Sequence, residues 1–529
     1  MSARIYVNGR IHSPASPDAT AMAVEGDTVV WLGADRPGLA LHPDAEVIDL
    51  DGAFLAPAFV DPHVHLTDTG LAATGLDLSA VTGAQELLDA LARHAESLPE
   101  GDPVWGHGWD ETDWADPRLP TAAQIDAAAP GREVYLSRID LHSALASGRS
   151  RTGVDADPAA PLTGGDHETV RTRVRAALPA AVLAEARIAA LDTARTRGVV
   201  AVHECGGPQI GGHEDFAAVT GLDHPVEVVG YWAEAVSTAA EASALIAKTG
   251  ARGLAGDLMV DGALGSRTAW VTGGYADAAD AGTGNRYLGV DEITAHLRAC
   301  TEAGIQAGFH AIGDGAVTAV AEAFGRVADD LGGPALARLG HRIEHVEMID
   351  EAAVARLGRL GAIASIQPMF DALWGGAEGV YAARLGAERA AVMNPWVRMA
   401  AAGMSLAIGS DSPVTPLDPW AAVRAATAHH TPGSSVSARA AFTAATRGAW
   451  RAGGVRDGIT GMLVPGAPAH YAVWDAPDLV VAAPDDSVQR WSTDPRSRVP
   501  ALPDLSPGAS APRCLRTVRA GTVIHQAPR

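Results

Sequence analysis

The sequence predicts an α/β chain built on a TIM-like (β/α)8 barrel, with a small β-sandwich domain formed by both termini. Three observations support this prediction. Short apolar segments end in histidine or aspartate at four places along the chain. Helix-like sequence, such as residues 291–304, borders these segments, and such alternation is typical of parallel barrels. Both chain ends read as short strands, with Asn8-Gly9 and Asp51-Gly52 as hairpin signals.

The first apolar segment, residues 59–65, ends in two histidines one residue apart. Side chains at i and i+2 of a strand point to the same side, so His63 and His65 can reach one metal ion. Taken alone, the pair is equally compatible with an exposed strand end. Three later segments of the same kind favour the metal site. They end in His310, His345 and Asp411.

In a (β/α)8 barrel, the carboxyl ends of all strands meet on one face, where catalytic groups lie. Two histidines from a first strand, one from each of two middle strands and an aspartate from a late strand would therefore surround one point. Imidazole and carboxylate ligands suit zinc or a similar divalent ion. The sequence thus predicts a divalent-metal site with zinc as the expected ion, although ligand type leaves iron and manganese open.

With these motifs, the chain resembles the amidohydrolase superfamily, and more narrowly the amidohydrolase-3 branch that includes YtcJ-like proteins and N-substituted formamide deformylases. The resemblance covers nearly the whole chain in family order. The stretches that match are residues 56–65, 261–269, 310–314, 342–345, 367–368 and 409–413. The resemblance implies metal ligation by His63, His65, His310, His345 and Asp411.

One departure from the family concerns the bridge between two metals. Relatives often carry a lysine four residues before the Asp-Gly of positions 261–262, and its carboxylated form bridges the ions. Here that position is Asp257, and Lys248, the only lysine, lies at the end of a predicted helix. Asp257 and Glu204 are the candidate substitute carboxylates. Because aspartate is much shorter than a carboxylated lysine, Asp257 could bridge only if its strand were displaced, and a solvated turn residue is favoured.

Without a bridge, one ion is the simpler expectation. The resemblance implies that this ion is bound by His63, His65, His310 and Asp411. His345 would then hold or polarise the attacking water. A bound divalent metal lowers the pKa of its water from about 15.7 to near 7. Asp411 would take the proton from that water and deliver it to the leaving nitrogen, which fits hydrolysis of a C–N bond in an amide, formamide or cyclic amide.

Four further residues are candidate substrate contacts: Trp109, His142, Arg267 and Gln367. Trp109 and His142 carry over from the resemblance, because they lie in stretches similar to family segments at the barrel mouth. Arg267 could bind a substrate carboxylate or carbonyl, but it is at least as compatible with an arginine that ties two loops together. Gln367 follows an apolar strand and could face the site.

The domain prediction places the composite β-sandwich at residues 1–55 and 462–529 and the barrel at residues 56–461. Residues 66–197 are too many for one βα unit and are interpreted as an inserted, partly helical lid. This lid holds Trp105, Trp109 and Trp114. The three aromatic side chains either favour a substrate with an apolar part or form the core of the lid itself, and the sequence leaves both readings open.

Composition agrees with a large enzyme, since 47% of the 529 residues are hydrophobic and 19% are charged. The net charge of −23 argues against nucleic acid or an anionic membrane as a partner, because both require basic patches. The N-terminus reads as a strand and not as a signal peptide, and the three cysteines form no paired motif. These features favour a cytoplasmic protein with a small-molecule substrate, and a homodimer is compatible with them.

Three functional hypotheses follow. The favoured one is a metal-dependent amidohydrolase that acts on a small amide-like C–N bond. The alternative is another metal-dependent enzyme on the same barrel, such as an ester, lactone or phosphoester hydrolase or an isomerase, because fold does not fix substrate. The third is a non-catalytic binding protein that has lost its metal, and the complete set of ligands argues against it.

Overall fold

The computed structural model describes residues 3–278, 281–480 and 500–528. Eight parallel strands form one sheet in chain order, and the predicted (β/α)8 barrel is confirmed. The loop after the last strand closes the barrel onto the first, because the Asp411 and His65 amides donate to the carbonyls of His63 and Ser412, each at 2.9 Å. The strands are β1 (Phe59–Val64), β2 (Val199–Gly206), β3 (Glu227–Trp232), β4 (Gly253–Leu254), β5 (Gln306–Ala311), β6 (Arg342–His345), β7 (Ile363–Ile366) and β8 (Ser405–Ile408).

Helices connect the strands and cover the outside of the barrel. Glu351–Arg359 is typical: the Asp350 side chain accepts from the Ala353 amide and caps its start, and Val354 and Leu357 on one face are buried. Within the described ranges, no helix is long and apolar enough to cross a membrane. The main connecting helices are Ala180–Thr196, Gly212–Thr220, Ala239–Thr249, Val290–Ala303, Asp314–Leu331, Glu351–Arg359, Pro368–Trp374, Val380–Leu385, Trp396–Ala401, Pro419–Thr427 and Ala438–Thr443.

Strand β4 is the irregular strand of the barrel, with only two residues. The chain leaves the ladder after Leu254 and turns at Gly256, which has φ +77°. A Cβ atom at this position would lie 3.0 Å from both Cβ and Sγ of Cys205 on β2. Glycine therefore satisfies both the backbone conformation and the close approach, and the next residue is carried towards the barrel axis.

Both termini build the outer β domain. A hydrogen bond of 2.6 Å from the Tyr471 hydroxyl to the Tyr6 hydroxyl joins its two ends, and Met22, Leu55 and Val518 share its core. One sheet has the strand order Thr28–Gly33, Ala21–Glu25, Arg4–Val7 and Glu46–Asp49. The other has the order Arg10–Ile11, Phe54–Pro57, Tyr471–Asp475, Arg513–Arg519 and Thr522–Gln526. Residues 481–499 of the predicted domain lie outside the described residues.

The stretch between β1 and β2 contains a second α/β unit. Its sheet has the order Leu162–Thr163, Ser143–Ala146, Val134–Arg138, Val104–Trp109 and Leu76–Asp77. Its helices include Ala84–Ser97, Ala122–Ala128 and Gly164–Ala177. Trp109 and Trp114 pack into one of its apolar clusters, and Trp105 packs into another. Of the two readings of the tryptophans, the structure therefore supports an internal core.

Candidate metal centre

Six buried side chains converge at the carboxyl ends of the barrel strands. Two of them lie at the end of β1, one on β5, one at the end of β6, and one each in the loops after β4 and β8. None of the six residues is more than 6% exposed, so each side chain lies in an environment of low dielectric constant. The set comprises His63, His65, Asp257, His310, His345 and Asp411. All five ligands implied by the resemblance are in it, together with Asp257.

Four of these side chains have the spacing of a tetrahedral metal site. His63 Nε2 lies 3.3 Å from both Asp257 Oδ1 and Asp411 Oδ1. His65 Nε2 lies 3.1 Å from Asp257 Oδ2 and 3.3 Å from Asp411 Oδ1. Ligands at about 2.0–2.1 Å from a tetrahedral ion are roughly 3.3 Å apart. Four of the six ligand-to-ligand distances of such a site therefore have the expected length, with His63 and His65 facing different oxygens of Asp257.

A second group of candidate ligands shares Asp257 with the four side chains described above. His310 Nδ1 lies 3.0 Å from His345 Nε2 and 3.5 Å from Asp257 Oδ1, and His345 Nε2 lies 3.9 Å from the same oxygen. Three protein ligands would leave the fourth tetrahedral position free, which is the arrangement of catalytic zinc sites. The Asp257 carboxylate thus faces both groups of ligands.

The expectation that Asp257 is a solvated turn residue is corrected by this geometry. The carboxylate is buried and lies within 4 Å of all four ligand histidines. The physical reason is the early end of β4 and the left-handed turn at Gly256, which provide the displacement that a short side chain requires. The sequence analysis stated that Asp257 could bridge only if its strand were displaced, but no sequence signal showed this displacement.

The polar atoms at the centre fit a bound cation. His63 Nε2, Asp257 Oδ1 and Asp411 Oδ1 are buried, and none has a hydrogen-bond partner within the described residues, which is unusual for buried polar atoms. His310 Nε2 donates to the Gly262 carbonyl at 3.3 Å, so its Nδ1 presents a lone pair to His345 Nε2. Buried charged and polar groups of this kind are stabilised by pairing or by a bound cation, and nitrogen and carboxylate ligands suit a zinc-type ion.

The Glu344 side chain fixes His63. Its Oε2 accepts from His63 Nδ1 at 2.9 Å, and its Oε1 accepts from Arg342 Nε at 2.6 Å. All three side chains are fully buried. Burial opposes ionisation of Glu344, but the Arg342 charge outweighs it and holds the carboxyl pKa well below its usual range. Sequence reasoning missed this pair, and the available signal was the i, i+2 spacing of Arg342 and Glu344 on one face of β6.

His345 is held by Gln367 and by an aromatic ring. The Gln367 Oε1 accepts from His345 Nδ1 at 2.8 Å, which leaves Nε2 free to bind a metal. The Phe370 ring lies parallel to the imidazole, with centroids 5.8 Å apart and an angle of 11°. Gln367 is therefore located behind a ligand, and the cavities described below are not lined by it.

Asp61 ties β1 to the loop that carries Asp411. Its carboxylate accepts from the backbone amides of Ser410 at 3.0 Å and His63 at 3.2 Å. Burial raises the pKa of this carboxyl to about 6, partly offset by these hydrogen bonds. Asp61 lies within the apolar segment 59–65, but the sequence analysis assigned it no role.

Glu204, the other candidate bridging carboxylate, lies outside the ligand cluster. Its Oε2 accepts from the Leu66 amide at 2.8 Å, at the start of the helix Leu66–Thr74. Burial raises the pKa of the Glu204 carboxyl to about 7, and the nearby His65 charge opposes this shift. Of the two candidates, the structure brings Asp257 and not Glu204 to the other ligands.

Of the three remaining predicted substrate contacts, the structure places one, His142, at the site. The His142 ring lies 5.3 Å from the His310 ring and lines the site, and burial followed by the His310 charge lowers its pKa to about 4. Trp109 does not reach the site, because its indole donates to the Leu136 carbonyl inside the inserted unit. Arg267 forms an ion pair with Asp277 at 2.7 Å, in agreement with the loop-tying alternative.

Three cavities border the ligand cluster and share His142 as a wall. The apolar cavity, about 30 Å³, is lined by Leu264, Phe370, Trp374 and Tyr381 beside His345. The larger cavity, about 400 Å³, opens beside Asp257. A third space of about 30 Å³ contacts both and borders five of the six ligands. The cluster is therefore accessible to a small molecule and is not only a structural site.

A parallel (β/α)8 barrel with histidine and aspartate ligands at its strand ends defines a metal-dependent hydrolase. The family model described as "Amidohydrolase family" matches residues 46–525, and the chain belongs to that family. YtcJ of Bacillus subtilis (strain 168) is 28% identical over 418 residues, which cover 73% of this chain and 75% of that protein. The resemblance stated from sequence is thereby confirmed.

Two further comparisons agree with this assignment. The N-substituted formamide deformylase of Arthrobacter pascens is 29% identical over 146 residues, or 27% of each protein. A crystal structure of an uncharacterized metal-dependent hydrolase from Pyrococcus furiosus superimposes with a TM-score of 0.69 and 24% identity, covering 89% of this chain and 98% of that one. This structural likeness shows a shared fold.

Proposed function

We propose that the protein hydrolyses a C–N bond of a small amide, formamide or cyclic amide. The observation that carries this proposal is the unpartnered, buried Oδ1 of Asp411 among the ligand imidazoles. A carboxylate so placed can both take and return a proton beside an electrophilic carbon. The formamide deformylase named among the relatives supports the choice of a C–N bond.

We further propose that the resident ions are of the zinc type and that two are bound. The one-ion expectation rested on the lack of a bridging group, and Asp257, which faces both groups of ligands, supplies a candidate. The first ion would be held by His63, His65, Asp257 and Asp411. The second would be held by His310, His345 and Asp257. In a one-ion site, His345 would instead orient the attacking water.

A divalent cation bound there would lower the pKa of a water molecule to near 7 and polarise a carbonyl. The residues of the chain supply the rest of the chemistry. The Asp411 carboxylate accepts a proton from the attacking water and returns it to the leaving nitrogen. His142 lies where its ring can donate a hydrogen bond to the substrate, and Gln367 keeps the His345 ring oriented through the 2.8 Å contact.

The test is a substrate panel with protein loaded with zinc or manganese. The panel contains formamides, linear amides and cyclic amides, with matched esters, lactones and phosphotriesters. Release of amine with kcat/KM of at least about 10⁴ M⁻¹s⁻¹ from one C–N class would support the proposal. Activity confined to esters or phosphotriesters would reject it in favour of the alternative hydrolase.

A further inference from the structure

The larger cavity is the space beside the metal ligands that has room for a substituent. It holds about 400 Å³, whereas the apolar cavity and the connecting space hold about 30 Å³ each. A water molecule needs roughly 10–15 Å³ measured in this way, so each smaller space has room for about two waters. A group attached to the scissile bond would therefore extend past Asp257 into the larger cavity.

The charged side chains that line the larger cavity are acidic. Among the described residues that line it, Glu168, Glu234 and Asp257 carry formal charges, and none is lysine or arginine. Asp257 belongs to the metal centre. The charge of Glu168 is balanced, because Arg171 Nη2 lies 2.8 Å from its Oε2. Glu234 is therefore the acidic group left to act on a ligand.

Glu234 is positioned at the mouth of the barrel. It lies two residues after the end of β3, and its Oε2 accepts from Trp232 Nε1 at 2.7 Å. Within the parts of the chain that the structure describes, Glu234 forms no ion pair, and its side-chain partner is this neutral indole. An indole donor orients a carboxylate but does not neutralise it. The net charge of −23 adds a long-range potential of the same sign.

We propose that the larger cavity selects substrates whose substituent ends in a cation, such as an ammonium or guanidinium group, with Glu234 as the charge partner. This inference rests on the proposed function, because it describes one side of the amide that the metal centre would cleave. The Glu234 charge likewise disfavours a substituent that ends in a carboxylate, since like charges repel in a cavity with low-dielectric walls.

The test uses three hydroxamic acids of equal chain length that end in ammonium, hydroxyl or carboxylate. Hydroxamates chelate the metal directly, so their binding does not depend on C–N cleavage. Calorimetry with metal-loaded protein is expected to show the ammonium compound binding about 5-fold more tightly than the hydroxyl compound, and the carboxylate compound most weakly. In Glu234→Gln the ammonium preference is expected to disappear. The ammonium preference is expected to persist in the matched control Glu302→Gln, which changes an exposed glutamate on a barrel helix.

Equal affinities for the three compounds in the wild type, or tightest binding of the carboxylate, would overturn the inference. So would an ammonium preference that Glu234→Gln leaves intact. In the wild type, the preference should also weaken as ionic strength rises, which gives a readout independent of the variant. The corresponding three N-formyl alkylamines separate the two proposals: no hydrolysis of any formamide or amide, with the ammonium preference retained, would reject the proposed function alone.

Discussion

Glu344 Oε2 lies 2.9 Å from Nδ1 of His63, across 281 residues of sequence. The carboxylate fixes the imidazole tautomer, so that Nε2 faces the other ligands. A carboxylate behind a ligand histidine orients the ring and raises its basicity. The Glu344 carboxylate is itself held in place, because Arg342 donates to both of its oxygens at 2.6 and 2.9 Å.

Glu344→Gln is therefore expected to weaken metal binding by about 10- to 100-fold. The dissociation constant can be measured by competition with a chromogenic chelator. Glu302→Gln is the control for loss of one acidic charge and should bind metal as the wild type does. Unchanged affinity in Glu344→Gln would mean that the pair stabilises the barrel without tuning the ligand.

Asp257→Asn is expected to lower the metal content from two ions per chain to one, because the amide is a poor bridge between two cations. Elemental analysis after gel filtration gives the count. With manganese, exchange coupling in the electron paramagnetic resonance spectrum reports a shared ligand and should be lost in the variant. Glu204→Gln, also a buried carboxylate on the barrel, should keep both ions. A wild-type protein with one ion at full activity would contradict the two-ion proposal.

Asp411→Asn is expected to lower kcat by about 10³-fold, since a positioned general acid–base contributes roughly 10²–10⁴. The measurement is a steady-state assay at saturating metal, with metal content determined on the same sample. Asp329→Asn, on the exposed side of helix Asp314–Leu331, is the matched control. A loss of metal that fully accounts for the lost activity would show that Asp411 acts as a ligand only.

Stability is expected to fall as the pH drops below about 6.5. His341 is buried and accepts from the Ala307 amide at 2.9 Å, and burial lowers its pKa from 6.5 to about 3. Below pH 6.5 the unfolded chain binds a proton that the folded chain does not, so the stabilisation is complete above 6.5 and is lost progressively towards pH 3.

Thermal unfolding of chelator-treated protein between pH 4 and 7.5 measures this dependence without a contribution from metal release. His341→Asn can retain the acceptor for Ala307 and should show a shallower pH dependence than the wild type. His42→Asn, in the outer domain, should leave the slope unchanged. Identical slopes in all three proteins would assign the acid sensitivity to other groups.

The barrel and five of the six clustered side chains could be predicted from sequence, because this prediction needed only strand periodicity and the order of motifs along the chain. The period of two in a strand puts His63 and His65 on one side, and the meeting of strand ends in a barrel brings the other groups to the same face. Trp109 could not be assigned in this way. A buried aromatic residue in an insertion has the same local pattern whether it lines a pocket or fills a core.

The sequence by itself determined the family, the barrel and the types of ligand, because these follow from the order and local spacing of motifs. Only the tertiary structure decided that Asp257 faces both groups of ligands, that Glu344 supports His63 and that Glu204 lies outside the cluster. These relationships depend on a two-residue strand, a left-handed turn at Gly256 and contacts across the barrel. The physical reason is that a carboxylate becomes a ligand through its distance to other side chains, which the backbone path sets and which neighbouring sequence does not encode.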